Sequence, residues 1–538
     1  MIKGFRQIAS LTAVSRVFGL IRDICYFYFF GAGTFLDAWF IAFKIPNLSR
    51  RLFGEGAISA SFIPVYSQQL QEDPQEARRL ADTVVTVLFV LLALLILLGW
   101  SGIWGYRKLF QTNSETRLIL SLTSVMLPYM LLVCMVAVLA GILNVHRHFA
   151  CPAAAPIVLN IFIIATVMFT GWVLEIGQKE QLFAVAAAVL IAGLVQIGIQ
   201  IRPLRSAGVS IRPVWPPRLL REQLHGDAFR KIIIMMGPMI LGLTATQINT
   251  LFDDLIAWWF SSSLEKGDVF LFLGNQVTYP LHRGCVSHLN AAQRLYQMPL
   301  GVFGISLATA IFPVMSRNAA AGDLKSLKRT ISQGIKSAIF IGMPATVGLF
   351  LIAGLLVSTV FEHGKFTAGD TEAAALTLLF YTAGLTGFFI QQIVTRAFYS
   401  MHDSKTPMSS AIIAVCANLG LNLSLIWVWG TAGLACSTAL CSYLQVTILI
   451  TVLRRKLGPA VLQGMVSAMA KTIAATILMG VFGVVILVLM RTLPAGFWFN
   501  ILRLAAVVPS AAGAYLLAAK ILHIEMLSLL TGGKTTAG

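Results

Sequence analysis

The 538-residue sequence has few charged residues: Asp, Glu, Lys and Arg make up 12% of it, whereas hydrophobic residues make up 57%. This excludes a soluble domain, because no soluble interior could bury that much apolar surface. The sequence has no lysine-containing phosphate loop, no His/Glu metal motif and no nucleophile motif, so we expect neither an enzyme nor a cofactor. The cysteines are scattered through apolar segments, which excludes a disulfide framework and a cysteine metal site.

Long apolar runs recur along the chain, and each is close to the length that crosses a hydrocarbon core of about 30 Å as a helix. The short alternating segments of a membrane β-barrel are absent. We therefore predict an all-α polytopic membrane protein with about fourteen transmembrane helices. The predicted helices cover residues 6–30, 34–65, 82–105, 118–146, 153–174, 181–202, 230–260, 288–317, 331–358, 371–400, 408–429, 433–454, 467–490 and 498–523. The spans 34–65, 288–317 and 371–400 are unusually long and contain Pro or Gly, which predicts kinks or cytoplasmic extensions there.

Basic residues are concentrated in alternate loops, and the formal net charge is +18. This pattern indicates membrane topology rather than nucleic-acid binding, and it places the Lys- and Arg-rich loops in the cytoplasm. With an even number of helices, both termini are then cytoplasmic. The Pro- and Arg-rich segment 203–229 is predicted to be a cytoplasmic linker, and 261–286 a long external connection.

A weak internal repeat favours two pseudo-symmetric lobes. The sequence FIPVYS at 62–67 ends the second predicted helix, and IFPVMS at 311–316 ends the eighth; each follows a run of small residues. Two related bundles around a central cavity are typical of transporters. We assign the N-terminal lobe, with helices one to six, to 1–202 and the C-terminal lobe, with helices seven to twelve, to 230–455.

The first predicted helix carries charged side chains where lipid is expected. A charge at the bilayer centre costs about 2.5–3.5 kcal/mol, so such residues usually face a bundle interior or a water-filled cavity. Arg16 and Asp23 share a face, while Arg22 points about a third of a turn away. One ion pair could form and leave one guanidinium for a ligand. The alternative is an interfacial helix whose arginines reach the lipid headgroups.

The second predicted helix has a charged stripe, because Asp37, Lys44 and Arg51 are spaced by seven residues. We expect Asp37 to pair with a cation at the outer end of the cavity and to act as a gate latch. Asp23 and Lys44 stay open between ion pairing and substrate contact. Asn47 falls on the same stripe, whereas Arg50, Arg51 and Glu55 either belong to a gate or lie merely at the cytoplasmic end of the helix.

A polar stripe also marks the start of the eighth predicted helix, with Ser287, Asn290, Arg294 and Gln297. Arg294 has amides beside it rather than carboxylates, so its counter-charge must come from another helix or from the substrate. Guanidinium groups bind phosphoryl oxygens bidentately and stay charged in apolar surroundings. Arg16, Arg22 and Arg294 could therefore converge on a phosphate or diphosphate.

Several specific motifs are spread over essentially the whole chain. They are SRVFGLIRD at 15–23, FGAG at 30–33, DAWFIAFKIPNLSRRLFGEGA at 37–57, FIPV at 62–65, APIVLN at 155–160, GKFT at 364–367, FYS at 398–400 and KTP at 405–407. Together these motifs resemble the MurJ (MviN) lipid II flippase family of the multidrug/oligosaccharidyl-lipid/polysaccharide exporter superfamily.

The resemblance implies fourteen helices in two lobes around a cationic cavity, and a C-terminal helix pair within 456–538 that forms a groove for the undecaprenyl tail. By motif match, the cavity cations are Arg16, Arg22 and Arg294. The implied gate residues are Asp37, Ser287, Asn47, Arg50, Arg51, Glu55 and the periplasmic-side Lys365.

The implied activity is movement of lipid II from the cytoplasmic to the periplasmic leaflet of the bacterial inner membrane by alternating access. The membrane potential or an ion gradient would drive it, and the cell-wall synthesis machinery is a candidate partner. Two alternatives are a cation-coupled exporter of drugs or other lipid-linked oligosaccharides, and a non-transporting scaffold for cell-wall synthesis.

The chain departs from some relatives at two places. Gln293 and Gln297 stand where those relatives have acids, which removes two negative charges beside Arg294. Some relatives bind sodium through acids in the C-terminal lobe. The span 408–429 offers Asn418, Asn422 and Ser424 but no acid, so we expect no metal site.

Overall fold

The computed structural model describes residues 2–52, 59–214, 224, 226–494 and 496–531, which are mostly helical. The α-helices, numbered in chain order, are α1 Ile2–Phe30, α2 Thr34–Ser49, α3 Ser59–Glu72, α4 Pro74–Leu109, α5 Ser114–Val145, α6 Ala150–Met168, α7 Gln178–Ser206, α8 Asp227–Trp259, α9 Cys285–Pro299, α10 Ile305–Ala320, α11 Leu324–Phe361, α12 Ala368–Ala383, α13 Leu385–Ser400, α14 Lys405–Trp429, α15 Thr431–Leu457, α16 Met465–Leu489, α17 Phe497–Ile521 and α18 Glu525–Thr531.

The prediction of an all-α polytopic membrane protein is confirmed, and each of the predicted spans overlaps helix. The predicted count of fourteen transmembrane spans is not confirmed. Among the described residues, ten helical segments are long and apolar enough to cross a membrane, or eleven if the bent pair α12 and α13 is one span. Within the described chain, α1, α2 and α8 are outside that group.

Local sequence explains where helices begin. Asp73 caps α4 by accepting a hydrogen bond from the Gln75 amide at 2.7 Å, and Pro74 occupies the first helical turn. Asn113 caps α5 by accepting from the Thr116 amide at 3.0 Å. These caps satisfy amides that have no partner within their own helix.

Two of the predicted kinks are present. After Pro299, residues 300–304 form a π-helical turn between α9 and α10, as expected where proline interrupts the hydrogen-bond ladder. Between α12 and α13 the axis bends by 42° at Gly384. A side chain there would lie 2.7 Å from the Cα of Ala439, so only glycine allows this approach to α15. In the predicted span 34–65, residues 53–58 between α2 and α3 lie outside the described residues.

The chain divides into two compact units. Unit 1 comprises Met1–Leu251 and Ser263–Gly267. Its core forms where α1 packs on α6, and where α5 packs on α2, α4 and α7. Unit 2 comprises Phe252–Ser262 and Asp268–Gly538. There α14 packs on α15, α12 lies between α9 and α15, and the long α11 contacts α12, α13 and α16.

The C-terminal helices α16 and α17 pack on α11 in unit 2. Buried Phe340, Met479 and Tyr515 form the centre of this contact. The Tyr515 hydroxyl donates to the Phe340 carbonyl at 2.6 Å, which satisfies both polar groups inside an apolar cluster. The pair is thereby fixed to the bundle by specific packing.

The predicted external connection 261–286 contains strands that the sequence reading did not identify. They are β1 Ser261–Ser262, β2 Val269–Phe272, β3 Asn275–Thr278 and β4 Leu281–His282. β2 and β3 form an antiparallel hairpin, with Val269 opposite Thr278 and Phe272 opposite Asn275. β1 pairs in parallel with β4.

Candidate functional site

The first charged site in unit 1 centres on Arg22. Its Nε and Nη2 donate to Asp23 Oδ1 at 3.0 and 2.7 Å, and its Nη1 donates to Asn160 Oδ1 at 3.1 Å. The side chains of Arg22 and Asp23 are only 14% and 4% exposed, so the pair is largely removed from solvent. Three of the five N–H groups of Arg22 are used, which leaves two for a ligand.

Asp23 pairs with its sequence neighbour Arg22 rather than with Arg16 on its own predicted face. Arg16 is exposed, and it makes no hydrogen bond or ion pair with another described residue. The guanidinium that the sequence left available for a ligand is therefore Arg16. Arg22 is held in place and electrically compensated, whereas Arg16 contributes a full positive charge.

Residues along α2 differ sharply in burial. Asp37 is fully buried in the first turn of α2, which agrees with a side chain that faces protein rather than lipid. Lys44 is half-buried, and its Nζ donates to the Thr250 carbonyl on α8 at 2.7 Å. The sequence left open whether Lys44 pairs within the protein or contacts the substrate. Here it hydrogen-bonds to a backbone carbonyl and so connects α2 to α8 within unit 1.

Two further hydrogen bonds place Arg50 and Arg51, which follow the C-terminal end of α2. Arg51 is exposed, and its Nη1 donates to Gln247 Oε1 on α8 at 2.8 Å. Arg50 Nε donates to Asn47 Oδ1 at 3.0 Å within one turn of helix. Lys44 and Arg51, seven residues apart, thus both reach α8. Glu55 lies outside the described residues.

In unit 2, one face of α9 is buried and the other is exposed. Ser287 is fully buried, and Gln293 is buried and donates to the Tyr381 hydroxyl at 2.9 Å. Arg294 and Gln297 are exposed, and Asn290 on the same stripe is half-buried. Gln293 therefore has a packing role where some relatives carry an acid, and Arg294 lies on the accessible face.

Lys365 is exposed in the turn between α11 and α12. Close to it in sequence, Thr367 and Asp370 form a capping box at the start of α12. His288 Nε2 lies 3.1 Å from Asp370 Oδ1, a contact that sequence analysis missed. It joins α9 to the same turn that carries Lys365.

A second polar cluster in unit 2 was not expected. Asp253 and Asp254 on α8 are fully buried. Asn422 Nδ2 donates to Asp253 Oδ1 at 2.6 Å and to Asn418 Oδ1 at 2.9 Å. Thr438 Oγ1 lies 3.4 Å from Asp253 Oδ2. The acid that the span 408–429 lacks is therefore supplied by α8.

This Asp253 cluster suits a hard cation. Carboxylate, amide and hydroxyl oxygens are the ligands such ions prefer. Across the described residues there is no group of three or more His, Cys, Asp or Glu side chains that could hold a metal ion. The expectation of no metal site considered the span 408–429 alone and did not include the carboxylate from α8; it stays a prediction.

Comparison with known proteins decides the family. A sequence model described as "Lipid II flippase MurJ" matches residues 27–506. The chain belongs to the MurJ family. The resemblance found in the sequence motifs is thereby confirmed.

Among MurJ relatives, the probable lipid II flippase of Vibrio cholerae is 31% identical over 462 residues, covering 84% of this chain and 82% of the relative. That of Buchnera aphidicola from Acyrthosiphon pisum is 30% identical over 536 residues, covering 98% of each. Both alignments extend well beyond the charged N-terminal block.

Solved structures show the same fold. A lipid II flippase MurJ in an inward closed conformation superposes with a TM-score of 0.76 at 22% identity, covering 97% of this chain and 99% of that chain. A multidrug resistance MATE family transporter in an inward-facing conformation gives a TM-score of 0.62 at 13% identity, covering 84% and 98%. The MurJ fold thus extends to a wider transporter class.

Two features of this MurJ chain had signals that sequence reading passed over. Asn160 is a lone amide in the apolar α6, inside the APIVLN motif. Asp253 and Asp254 are adjacent acids inside an apolar span, the kind of buried charge that identified the N-terminal site.

Proposed function

We propose that this protein is a lipid II flippase of the bacterial inner membrane. It moves the undecaprenyl-diphosphate-linked peptidoglycan precursor from the cytoplasmic to the periplasmic leaflet by alternating access. The observation that carries the proposal is the family match across residues 27–506, together with an arginine site in which binding groups are already oriented.

Arg16, Arg22 and Arg294 bind the diphosphate in this proposal, with different roles. Arg22 offers two fixed N–H groups, because Asp23 and Asn160 hold its guanidinium in one orientation. Its charge is compensated by Asp23, so more of the net attraction for an anion comes from the exposed Arg16, and Arg294 lies on the accessible face of α9. A site that is already oriented loses less conformational entropy on binding. Lys44 and Asp23 act by positioning these elements.

The gate residues are proposed to be Asp37, Ser287, Asn47, Arg50, Arg51, Glu55 and Lys365. Buried Asp37 and Ser287 would lose or gain partners when the lobes move, which is the bistable behaviour that alternating access requires. The hydrogen bonds of Lys44 and Arg51 to α8 hold α2 in the arrangement seen here.

We also propose that residues 203–229 link the two lobes and that α16 and α17 form the groove for the lipid tail.

Energy for transport is proposed to come from the membrane potential and a bound cation. An outward-moving anion gains about 2.3 kcal/mol per charge per 100 mV if it crosses the full field. In unit 2, Asp253, Asn418, Asn422 and Thr438 bring carboxylate, amide and hydroxyl oxygens together, and these are the ligands that would hold a sodium-like cation.

The test of this function is the leaflet distribution of lipid II in cells depleted of the protein. We expect periplasmic accessibility of lipid II to fall on depletion and to return with the wild-type chain. Arg317→Ala, an exposed arginine outside the proposed site, should restore it equally well. Unchanged periplasmic accessibility of lipid II after depletion would contradict the proposal. Drug export that survives loss of the three arginines would favour the exporter alternative.

A further inference from the structure

The hairpin formed by β2 and β3 exposes apolar side chains on its surface. Residues 269–281 contain no Asp, Glu, Lys or Arg. Leu271, Phe272 and Leu273 are 75%, 60% and 88% exposed. An exposed apolar strand with open edges is an aggregation hazard in water, so such a surface normally has a cover.

The tip of the hairpin has a backbone that its sequence does not favour. Leu273 and Gly274 both have positive φ, at 49° and 83°. Two-residue turns of this kind favour Asn, Asp or Gly at the first position, because Gly lacks a Cβ and the short polar side chains of Asn and Asp hydrogen-bond locally in the left-handed region. Leu273 has neither property, and such a backbone outlier supports a hypothesis of function for its side chain.

The base of the hairpin lies at the end of a membrane span. Phe270 contacts Tyr279 and Trp427, with ring centroids 4.8 and 6.3 Å apart. Trp427 is in the last turn of α14, one of the apolar spans, and Phe260 contacts both Phe270 and Trp427. Tryptophan and tyrosine gather at the level of the lipid headgroups.

Further aromatic residues mark the same level in unit 2. Trp259 at the end of α8 is 66% exposed, and Trp429 at the end of α14 is 46% exposed. Strands of four residues extend about 13 Å at about 3.3 Å per residue. The tip therefore lies within one leaflet's depth of this aromatic belt.

We propose that the hairpin is a lipid-binding anchor. Leu271, Phe272 and Leu273 insert among the headgroups and upper acyl chains of the phospholipid leaflet that surrounds the ends of α8 and α14. A two-stranded hairpin leaves backbone amides and carbonyls at its edges, so it occupies the hydrated interfacial zone rather than the hydrocarbon core. The inference depends on the chain spanning a membrane and not on the identity of its cargo.

Photo-crosslinking in the full-length protein tests this anchor. The photoreactive residue p-benzoylphenylalanine is placed in turn at positions 271, 272 and 273, and at position 268 as the matched control. Asp268 is exposed and charged and begins the same hairpin at its opposite end. The purified chain is reconstituted in vesicles of phosphatidylethanolamine and phosphatidylglycerol, and adducts are read by mass spectrometry.

We expect phospholipid adducts at all three tip positions, with a yield several-fold above that at 268. Equal yields at the tip and at 268 would overturn the proposal. In native membranes, one dominant protein adduct at the tip in place of lipid would also overturn it, since that outcome identifies a protein partner.

A second variant separates the turn from the anchor. Leu273→Asn places a favoured residue at the left-handed position, so protection of the Phe270 and Val277 amides from hydrogen exchange should be retained or increased. Lipid adducts from position 272 should fall several-fold in this background. Adducts that stay unchanged while the hairpin persists would contradict the insertion of Leu273.

Discussion

Asn160 accepts a hydrogen bond from Arg22 at 3.1 Å, although 138 residues separate them in the sequence. The same amide donates to the Ser15 carbonyl at 3.4 Å, so one α6 side chain contacts α1 at two points. Asn160 is buried, which strengthens the electrostatic part of both bonds. The orientation of the Arg22 guanidinium is thus set by a residue that does not itself carry charge.

Asn160→Ala should weaken lipid II binding while the protein still folds. Loss of the acceptor removes a bond to a charged donor, which contributes about 1.5–3 kcal/mol, and Arg22 then samples other orientations. Binding of lipid II to purified protein is the measurement. Asn318→Ala is the matched control, because Asn318 donates to Thr330 away from the arginines. Equal binding by both variants would contradict a positioning role for Asn160.

Arg22→Ala should lower the folding stability of the protein. A residue that only bound a ligand would cause no such loss in the absence of that ligand. It leaves the Asp23 carboxylate buried without its main counter-charge, which costs about 3–5 kcal/mol in comparable buried pairs. The double variant Arg22→Ala with Asp23→Ala should recover much of the thermal stability and none of the lipid II binding. Recovery of binding in the double variant would show that Arg22 acts only through Asp23.

Sequence patterns predicted the fold class and the charged N-terminal site because charges inside apolar spans are expensive and therefore conspicuous. These patterns did not predict which side chains form ion pairs or hydrogen bonds with each other. Helix periodicity placed Asp23 with Arg16, whereas the flexible Arg22 side chain reaches back to its neighbour. The Asp253 cluster joins α8 to residues of the consecutive helices α14 and α15 that lie more than 160 residues further along the chain, and no local pattern encodes such a contact.

The hairpin at 261–286 escaped prediction for a different reason. Its strands are only four residues long, and β2 is apolar on both faces, so the alternation typical of a half-buried strand is absent. The turn residue Leu273 also lacks the usual Asn-Gly or Asp-Gly signal.

Asp253→Asn should abolish stabilisation by sodium. If the Asp253 cluster binds the ion, sodium at a hundred times its dissociation constant stabilises the folded wild type by about 2.7 kcal/mol, and the unfolding midpoint rises. The measurement is the shift in that midpoint between sodium chloride and choline chloride. Asp323→Asn, at the exposed N-cap of α11, should keep the full shift. A sodium shift that persists unchanged in Asp253→Asn would rule out this cluster as the site.

The loop before α14 provides a pH-dependent contribution to stability. Burial alone would raise the pKa of Asp403, but hydrogen bonds from Lys456 and Thr406 and the Lys456 charge outweigh it and lower the pKa from 3.8 to about 2. Because the folded-state pKa lies below the unfolded value, this contribution is fully present above pH 3.8 and is lost as the pH falls toward 2.

Asp403→Asn should therefore lower stability near neutral pH by about 0.2–1 kcal/mol, since Lys456 is largely exposed. The difference from wild type should close as the pH falls from about 4 to about 2. Thermal unfolding in detergent across this range is the measurement. Lys456→Met should give a similar profile, because it removes the other partner. A difference that stays constant with pH would contradict the ion pair.

The most direct test of the central claim is flipping of lipid II by purified protein in vesicles, with and without an imposed inside-negative potential. Wild type should expose lipid II on the opposite leaflet, faster with the potential, and Arg317→Ala should match it. Arg16→Ala and Arg294→Ala should lose most of this activity, and Arg16→Ala should do so while keeping the wild-type unfolding midpoint. Flipping by both of these variants at the wild-type rate, or no flipping by the wild type itself, would contradict the account.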